Sequence, residues 1–193
     1  MEKEFWENRW ENGQTGWDIG AVSTPIKEYI DQITDHELNV LVPGCGNAYE
    51  AEYLWEQGFK NVKIVEIAKG AIDSFKKRFP DFPADQIFFE DFFKLDSKEH
   101  QFDLVIEQTF FCAIHPSMRP KYAEKMSELI RPGGKLVGLL FDFPLESGPP
   151  FGGNKEEYLG YFKPYFHIRL LEKARNSIKP RSGREFFMIL EMK

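Results

Sequence analysis

Two cysteines are all that the 193 residues contain, too few for a disulfide framework. Cys45 stands beside glycines and Cys112 inside an apolar run, so both read as reduced, buried thiols with no nucleophilic role, and no metal site is expected. The start, Met1-Glu2-Lys3-Glu4-Phe5-Trp6, lacks the basic opening and continuous apolar run of a secretory signal. A cytoplasmic location is the expectation. Basic residues are in deficit, 25 Lys plus Arg against 31 Asp plus Glu for a net charge of −6, and no basic block stands out. That excludes duplex nucleic acid as a partner, because neutralising phosphates needs a basic surface. Long apolar runs are also missing: Leu136 to Phe141 is strand-sized, far short of the roughly 20 residues that span a bilayer. No membrane partner is expected.

The apolar share of 42% and charged share of 29% are those of a globular protein, which excludes disordered, collagen-like and coiled-coil classes. At roughly 150 residues per domain the chain makes one domain, and a monomer is expected. Aromatics are abundant, with 19 Phe, 7 Tyr and 4 Trp. Most must be core, but there are enough to line a pocket as well.

Short β-rich runs alternate with helix-length amphipathic stretches, the pattern of a mostly parallel sheet covered by helices. Strands are predicted at 38–42, 62–67, 87–90, 102–106 and 135–141. Helices are predicted at about 48–57, 69–79 and 119–130, the last ended by Arg131-Pro132-Gly133-Gly134. After a turn-rich stretch and a helix near 156–165, two strands at about 168–174 and 186–192 are joined by too short a connection for a crossover, so they should pair antiparallel. Residues 1–37 precede the sheet as a cover segment, leaving 38–193 as the α/β core. The cover holds Trp6, Trp10 and Trp17. Trp6 and Trp10, four apart, share a face if helical.

Gly44-Cys45-Gly46-Asn47-Ala48-Tyr49-Glu50 falls between the first strand and its helix, where open α/β sheets bind ligands. It fails as a dinucleotide fingerprint, since the third glycine would fall on Tyr49. Glu50, near the helix start, disfavours a pyrophosphate and suits a cationic ligand group. Glu66 ends the second strand, 20 positions beyond Gly46, a spacing that suits a carboxylate accepting from both ribose hydroxyls. Asp91 follows the third strand, placed to accept from an adenine amino group while Phe92 packs on the ring. Three carboxylates at consecutive strand ends suit an adenosine that carries positive charge and no phosphate. S-adenosylmethionine meets that description; NAD does not.

The sequence resembles the class I S-adenosylmethionine-dependent methyltransferases, and within them the thiopurine methyltransferase family in its thiol and halide branch. The resemblance rests on Phe5-Trp6-Glu7 with Gly16-Trp17-Asp18-Ile19-Gly20, then Val42-Pro43-Gly44-Cys45-Gly46, then Phe110 to Pro116 with Met118-Arg119-Pro120. Gly148-Pro149-Pro150-Phe151 and Lys179 to Gly183 complete it. It implies a Rossmann-like, doubly wound, mostly parallel seven-stranded sheet with an antiparallel C-terminal strand. It also implies that Trp6, Trp10 and Trp17 cover the cofactor, that Gly44 meets its methionine part with Gly46 in the same cofactor-binding turn, and that Glu107-Gln108 passes beside the sulfonium. Relatives commonly carry Asp where this chain has Glu50 and Glu66, so each carboxylate has gained a methylene, and Tyr where it has Phe151.

The implied activity is methyl transfer to a small soft nucleophile by in-line displacement, yielding S-adenosylhomocysteine. A thiol or sulfide leads and a halide follows; the partner is a small-molecule acceptor. A thiolate needs no general base once formed, so the protein must position reactants, exclude water and supply a cation near the acceptor. Arg119 and Arg181 are the candidates for orienting the acceptor, with Arg184 a third. His115 reads as a helix cap rather than a base. Methylation of an oxygen or nitrogen, or S-adenosylmethionine sensing without catalysis, would share the same cofactor residues.

Overall fold

A computed structural model describes residues 3–146 and 148–193 of the chain. The strands run β1 Asn39–Pro43, β2 Asn61–Glu66, β3 Ile87–Phe89, β4 Phe102–Gln108, β5 Ile130–Phe141, β6 Phe166–Lys173 and β7 Glu185–Met192. The helices are α1 Lys3–Glu11, α2 Thr24–Ile30, α3 Tyr49–Glu56, α4 Lys69–Arg78, α5 Arg119–Leu129 and α6 Lys155–Phe162. One sheet holds all seven strands in the order β3-β2-β1-β4-β5-β7-β6. Pairings from β3 through β5 are parallel, while β7 lies antiparallel between β5 and β6. The predicted antiparallel pair is therefore present, and β7 is the reversed strand.

Alternation along the strands builds two apolar layers. Leu41, Val105, Leu136 and Leu140 join one buried cluster with Tyr122 and Met126 of α5 and Phe162 of α6. Val40, Val42, Ile64, Ile106 and Val137 join the other, with Ile26 and Ile30 of α2, Leu54 of α3 and Phe75 of α4. Helices therefore cover both faces, and each such buried side chain contributes about 1.5–3 kcal/mol of transfer free energy. Chain direction across the sheet reverses between β1 and β4. This switch point opens a crevice at the carboxyl ends of the strands, and the functional residues gather there.

Two elements differ from expectation. The segment Arg131–Gly134 does more than end α5: Ile130 already pairs with Phe102, and the next pair is Lys135 with Leu104, so four residues bulge out of β5. Gly133 takes φ +78° in that bulge. The seven-residue α2 is too short to announce itself by periodicity, and its one signal is Ser23-Thr24-Pro25, with proline in the first turn. Because Ile26 and Ile30 are core residues, the cover proper is the part of 1–37 before α2; residues 1 and 2 lie outside the described residues. Among those described, no helix is long and apolar enough to cross a membrane.

Candidate active site

The crevice is a cavity of about 1000 Å³. Its floor begins at the end of β1, where Gly44, Gly46 and Ala48 adopt φ of 53°, 53° and 54°. At Gly44 the requirement is both conformational and steric, since a Cβ there would lie 2.2 Å from the Phe110 ring. The turn is fastened by the Gly44 N–H donating to Val65 O at 2.8 Å and the Ala48 N–H to Cys45 O at 2.7 Å.

Glu66 binds this turn to the next. Its Oε2 accepts from the Gly46 N–H at 2.9 Å, and its Oε1 accepts from the Ile67 and Ala68 N–H groups at 2.7 and 2.9 Å. Burial to 7% exposure pushes its pKa up against those three bonds. The carboxylate still reaches the cavity wall. At the end of β3, Asp91 spends Oδ1 on the Phe93 N–H at 3.0 Å. Phe92 beside it is buried, edge-on to Phe110 at 5.2 Å between centroids, and both Asp91 and Phe92 line the cavity.

The end of β4 divides two adjacent candidates. Gln108 lines the cavity, and its Oε1 is buried without a hydrogen-bond partner. Glu107 does not line it. Strand alternation turns Glu107 to the opposite side, where it is 0% exposed. Its Oε1 accepts from the Phe110 and Phe111 N–H groups, each at 2.8 Å, and its Oε2 from the Tyr122 hydroxyl. Desolvation lifts its pKa to about 7 despite those donors. The expected place for Glu107 beside the ligand is thus corrected: it anchors the loop that carries Thr109, itself at φ +61°.

The tryptophans form the roof. Trp6 and Trp10 stand edge-on to Trp17 at 5.5 and 6.1 Å, and all three line the cavity. The roof is tied down at four points. Trp10 lies so close to Gly70 that a Cβ there would come within 2.9 Å of it. The Lys69 N–H donates to Glu7 at 3.3 Å. Asp18 accepts from the Asn47 amide and from the Tyr49 hydroxyl. Arg181 Nη2 donates to Trp17 O at 2.7 Å. Asp18 carried no role in the sequence reading, although its place beside Trp17 in a polar turn was a usable signal.

The arginines separate. Arg181 lines the cavity, stacked over Phe141 at 5.5 Å and paired with Glu185 at 3.4 Å. Arg119 does not line it, and its expected role at the acceptor is corrected. At 0% exposure it bonds Glu157 at 2.9 Å and the carbonyls of Phe151 and Gly152 at 3.1 and 2.8 Å, over the Phe111 ring. Arg184 stacks on Phe143, away from the cavity. His115 caps the turn Pro116–Met118 by accepting from Ser117 N–H, as read. Phe151 is buried off the cavity wall, its N–H donating to Cys112 O at 2.8 Å. Cys45 and Cys112 are free thiols, both pushed up in pKa by burial.

Comparison with known proteins agrees with this geometry. A family model described as thiopurine S-methyltransferase matches residues 1–190. A probable thiol methyltransferase 2 of Arabidopsis thaliana is 34% identical over 93% of this chain and 81% of its own length. Thiocyanate methyltransferase 1 of Brassica oleracea is 30% identical over 96% of this chain and 83% of its own. Among solved structures, a Burkholderia thailandensis 1,6-didemethyltoxoflavin-N1-methyltransferase bound to S-adenosylhomocysteine superposes with a TM-score of 0.77. That match, at 17% identity over 99% of this chain and 87% of the other, is one of fold.

Proposed function

Because the chain belongs to the thiopurine S-methyltransferase family and is an S-adenosylmethionine-dependent methyltransferase, we propose that its acceptor is a small soft nucleophile, a thiol or sulfide before a halide. The observation that carries this reading is the stretch of wall made by Phe141, Cys112 and Arg181, apolar and polarisable with one guanidinium set into it.

The residues present fit the cofactor. The glycine turn brings bare backbone to the cavity wall at Gly44 and Gly46, where a side chain at Gly44 would collide with the Phe110 ring. Carboxylates of Glu50, Glu66 and Asp91 border the cavity, the wrong sign for a pyrophosphate and the right one for a cationic nucleoside. Glu66 would accept from the ribose. Asp91, with Oδ1 engaged, would use its other oxygen for the adenine amino group against Phe92, while Gly44 and Gly46 flank the methionine part. Gln108 would pass beside the sulfonium, under the roof of Trp6, Trp10 and Trp17. When bound, S-adenosylmethionine supplies a methyl group activated by sulfonium charge.

The chain's own part is positioning and exclusion of water. A guanidinium beside a thiol lowers its pKa and then holds the resulting anion, which is the role Arg181 would play. The tryptophan roof keeps water from solvating that anion, so the nucleophile keeps its reactivity. No imidazole stands on the cavity wall among the described residues, which suits an acceptor that requires no histidine base. The free thiols at Cys45 and Cys112 support a reducing, cytoplasmic setting.

The test is product analysis with purified protein, S-adenosylmethionine, and sulfide, a small aromatic thiol or iodide in parallel. Methylated thiol or sulfide, formed faster than methyl iodide, is the expected result. Methylation confined to oxygen or nitrogen acceptors would overturn the S-acceptor reading, and binding without any product would indicate a sensor.

A further inference from the structure

We propose that Glu50 holds the α-amino group of the cofactor, its carboxylate pairing with the ligand's ammonium. The inference rests on the S-adenosylmethionine reading and goes beyond it by assigning one atom of the ligand to one residue.

Glu50 is the second residue of α3, directly after the glycine turn, and lines the cavity although only 5% exposed. Its Oε1 accepts from the Ser23 N–H at a long 3.3 Å, and no side chain among the described residues donates to either oxygen. A carboxylate so placed is costly to ionise, and burial pushes its pKa up to about 7. The charged groups that face it come from three elements. Arg181, from the connection before β7, favours the ionised form, and Asp18, from the roof, opposes it. The Cys45 thiol lies on the glycine turn itself. Arg181 does not complete Glu50: its hydrogen bonds run to Trp17 O and Glu185, and none among the described residues reaches Glu50.

The site is therefore short of a cation that brings N–H donors. An ammonium supplies up to three; a sulfonium supplies none. S-adenosylmethionine carries both groups, and Glu50 adjoins the turn assigned to its methionine part. The alternative is a purely structural role, in which Glu50 only fastens Ser23 at the start of α2.

The test measures binding by calorimetry, using S-adenosylhomocysteine and its deaminated analogue, with hydrogen in place of the α-amino group. Wild-type protein should prefer S-adenosylhomocysteine by about 10- to 100-fold, the value of a charge-assisted hydrogen-bonded contact. Glu50→Gln should bind both ligands alike, with the analogue held within about twofold of its wild-type affinity. Equal weakening of both ligands in Glu50→Gln, or retention of the wild-type preference, would overturn the assignment. Wild-type protein that binds S-adenosylhomocysteine without preferring it overturns the Glu50 inference alone; protein that binds neither overturns the cofactor reading with it. Should Glu50→Gln fail to fold, Glu50→Asp decides. With its carboxylate drawn back by one methylene, it should shrink the preference for S-adenosylhomocysteine over the analogue several-fold while the analogue's own affinity holds; an undiminished preference would refute the pairing.

Discussion

Arg181 and Trp17, 164 residues apart in the chain, are joined by a guanidinium N–H donating to a backbone carbonyl at 2.7 Å. The bond links the turn before β7 to the roof over the cavity, so the two ends of the sequence close the same crevice. Helix α1 has no buried residue of its own. The roof is therefore held by three polar ties and the packing of Trp10 on Gly70 rather than by a core, and local opening should cost far less than global unfolding.

Replacing Arg181 should loosen the roof and weaken the acceptor site together. In Arg181→Ala, trypsin should cut after Arg9 several-fold faster than in wild type, and the acceptor KM should rise by about 10-fold or more, as expected when a charged hydrogen bond is lost. Arg181→Lys keeps the charge but cannot reach Trp17 and Glu185 at once, so it should restore part of the KM and little of the protection. Unchanged cleavage in Arg181→Ala would show that the bond does not hold the roof. An unchanged KM would remove Arg181 from the acceptor site.

At Glu66 the prediction turns on donor and acceptor chemistry. Its oxygens serve three N–H groups, at Gly46, Ile67 and Ala68. Glu66→Ala should cost about 1.5–3 kcal/mol in S-adenosylhomocysteine affinity while the fold survives. Glu66→Gln is nearly isosteric, yet its amide places a donor against a donor, at Gly46 or at the Ile67–Ala68 pair. It should therefore lose affinity almost as Glu66→Ala does. Calorimetry that finds Glu66→Gln equal to wild type would deny that the carboxylate organises the two turns.

The sheet was legible because short apolar runs bounded by Gly/Pro punctuation mark the strands, and the glycine turn, Glu66 and Asp91 followed from their places at the strand ends. Positions that depended on which way a side chain points were less legible. Alternation from Val105 puts Glu107 on the side of α5, which the strand period could have shown. Arg119 stands at i, with Tyr122, Ala123 and Met126 at i+3, i+4 and i+7, all buried, so the helical period placed it on the inner face. The expectation for Glu107 rests on the family resemblance and that for Arg119 on its charge, and neither ground fixes the direction of a side chain. The ties of Asp18 and Arg181 join distant segments, and no local pattern encodes them.

Glu107 should make stability depend on pH. Its folded pKa, lifted to about 7 from an ordinary 4.5, means that the folded state binds more protons than the unfolded chain between those values. Stability must then fall as pH rises through that window and level off above it. Glu50, also lifted to about 7, adds in the same sense. In Glu107→Gln the amide oxygen can still accept from Phe110 and Phe111 N–H and the amide N–H can donate to the Tyr122 oxygen, so the loop should persist without titrating. Urea unfolding at pH 5 and pH 7.5 should show a loss on the order of 2 kcal/mol more in wild type than in Glu107→Gln. Equal losses would mean that Glu107 does not titrate in this range.

Arg119 is expected to matter for stability and not for the acceptor. Its guanidinium satisfies the Phe151 and Gly152 carbonyls and pairs with Glu157, whose side chain is 21% exposed. Through those partners it fixes the segment leading into α6 and the packing of Phe111 beneath it. Arg119→Ala removes the cation, leaves two carbonyls without donors and opens a cavity beside Phe111; partial exposure of Glu157 moderates the cost. The loss should be on the order of 3 kcal/mol, read as a lower melting temperature. At a temperature where both proteins are folded, the acceptor KM and the affinity for S-adenosylhomocysteine should stay within about twofold of wild type, as for a residue that touches neither ligand. A raised acceptor KM at an unchanged melting temperature would instead put Arg119 back at the acceptor, against the 0% exposure and the Nη bonds to Glu157, Phe151 O and Gly152 O that hold it away.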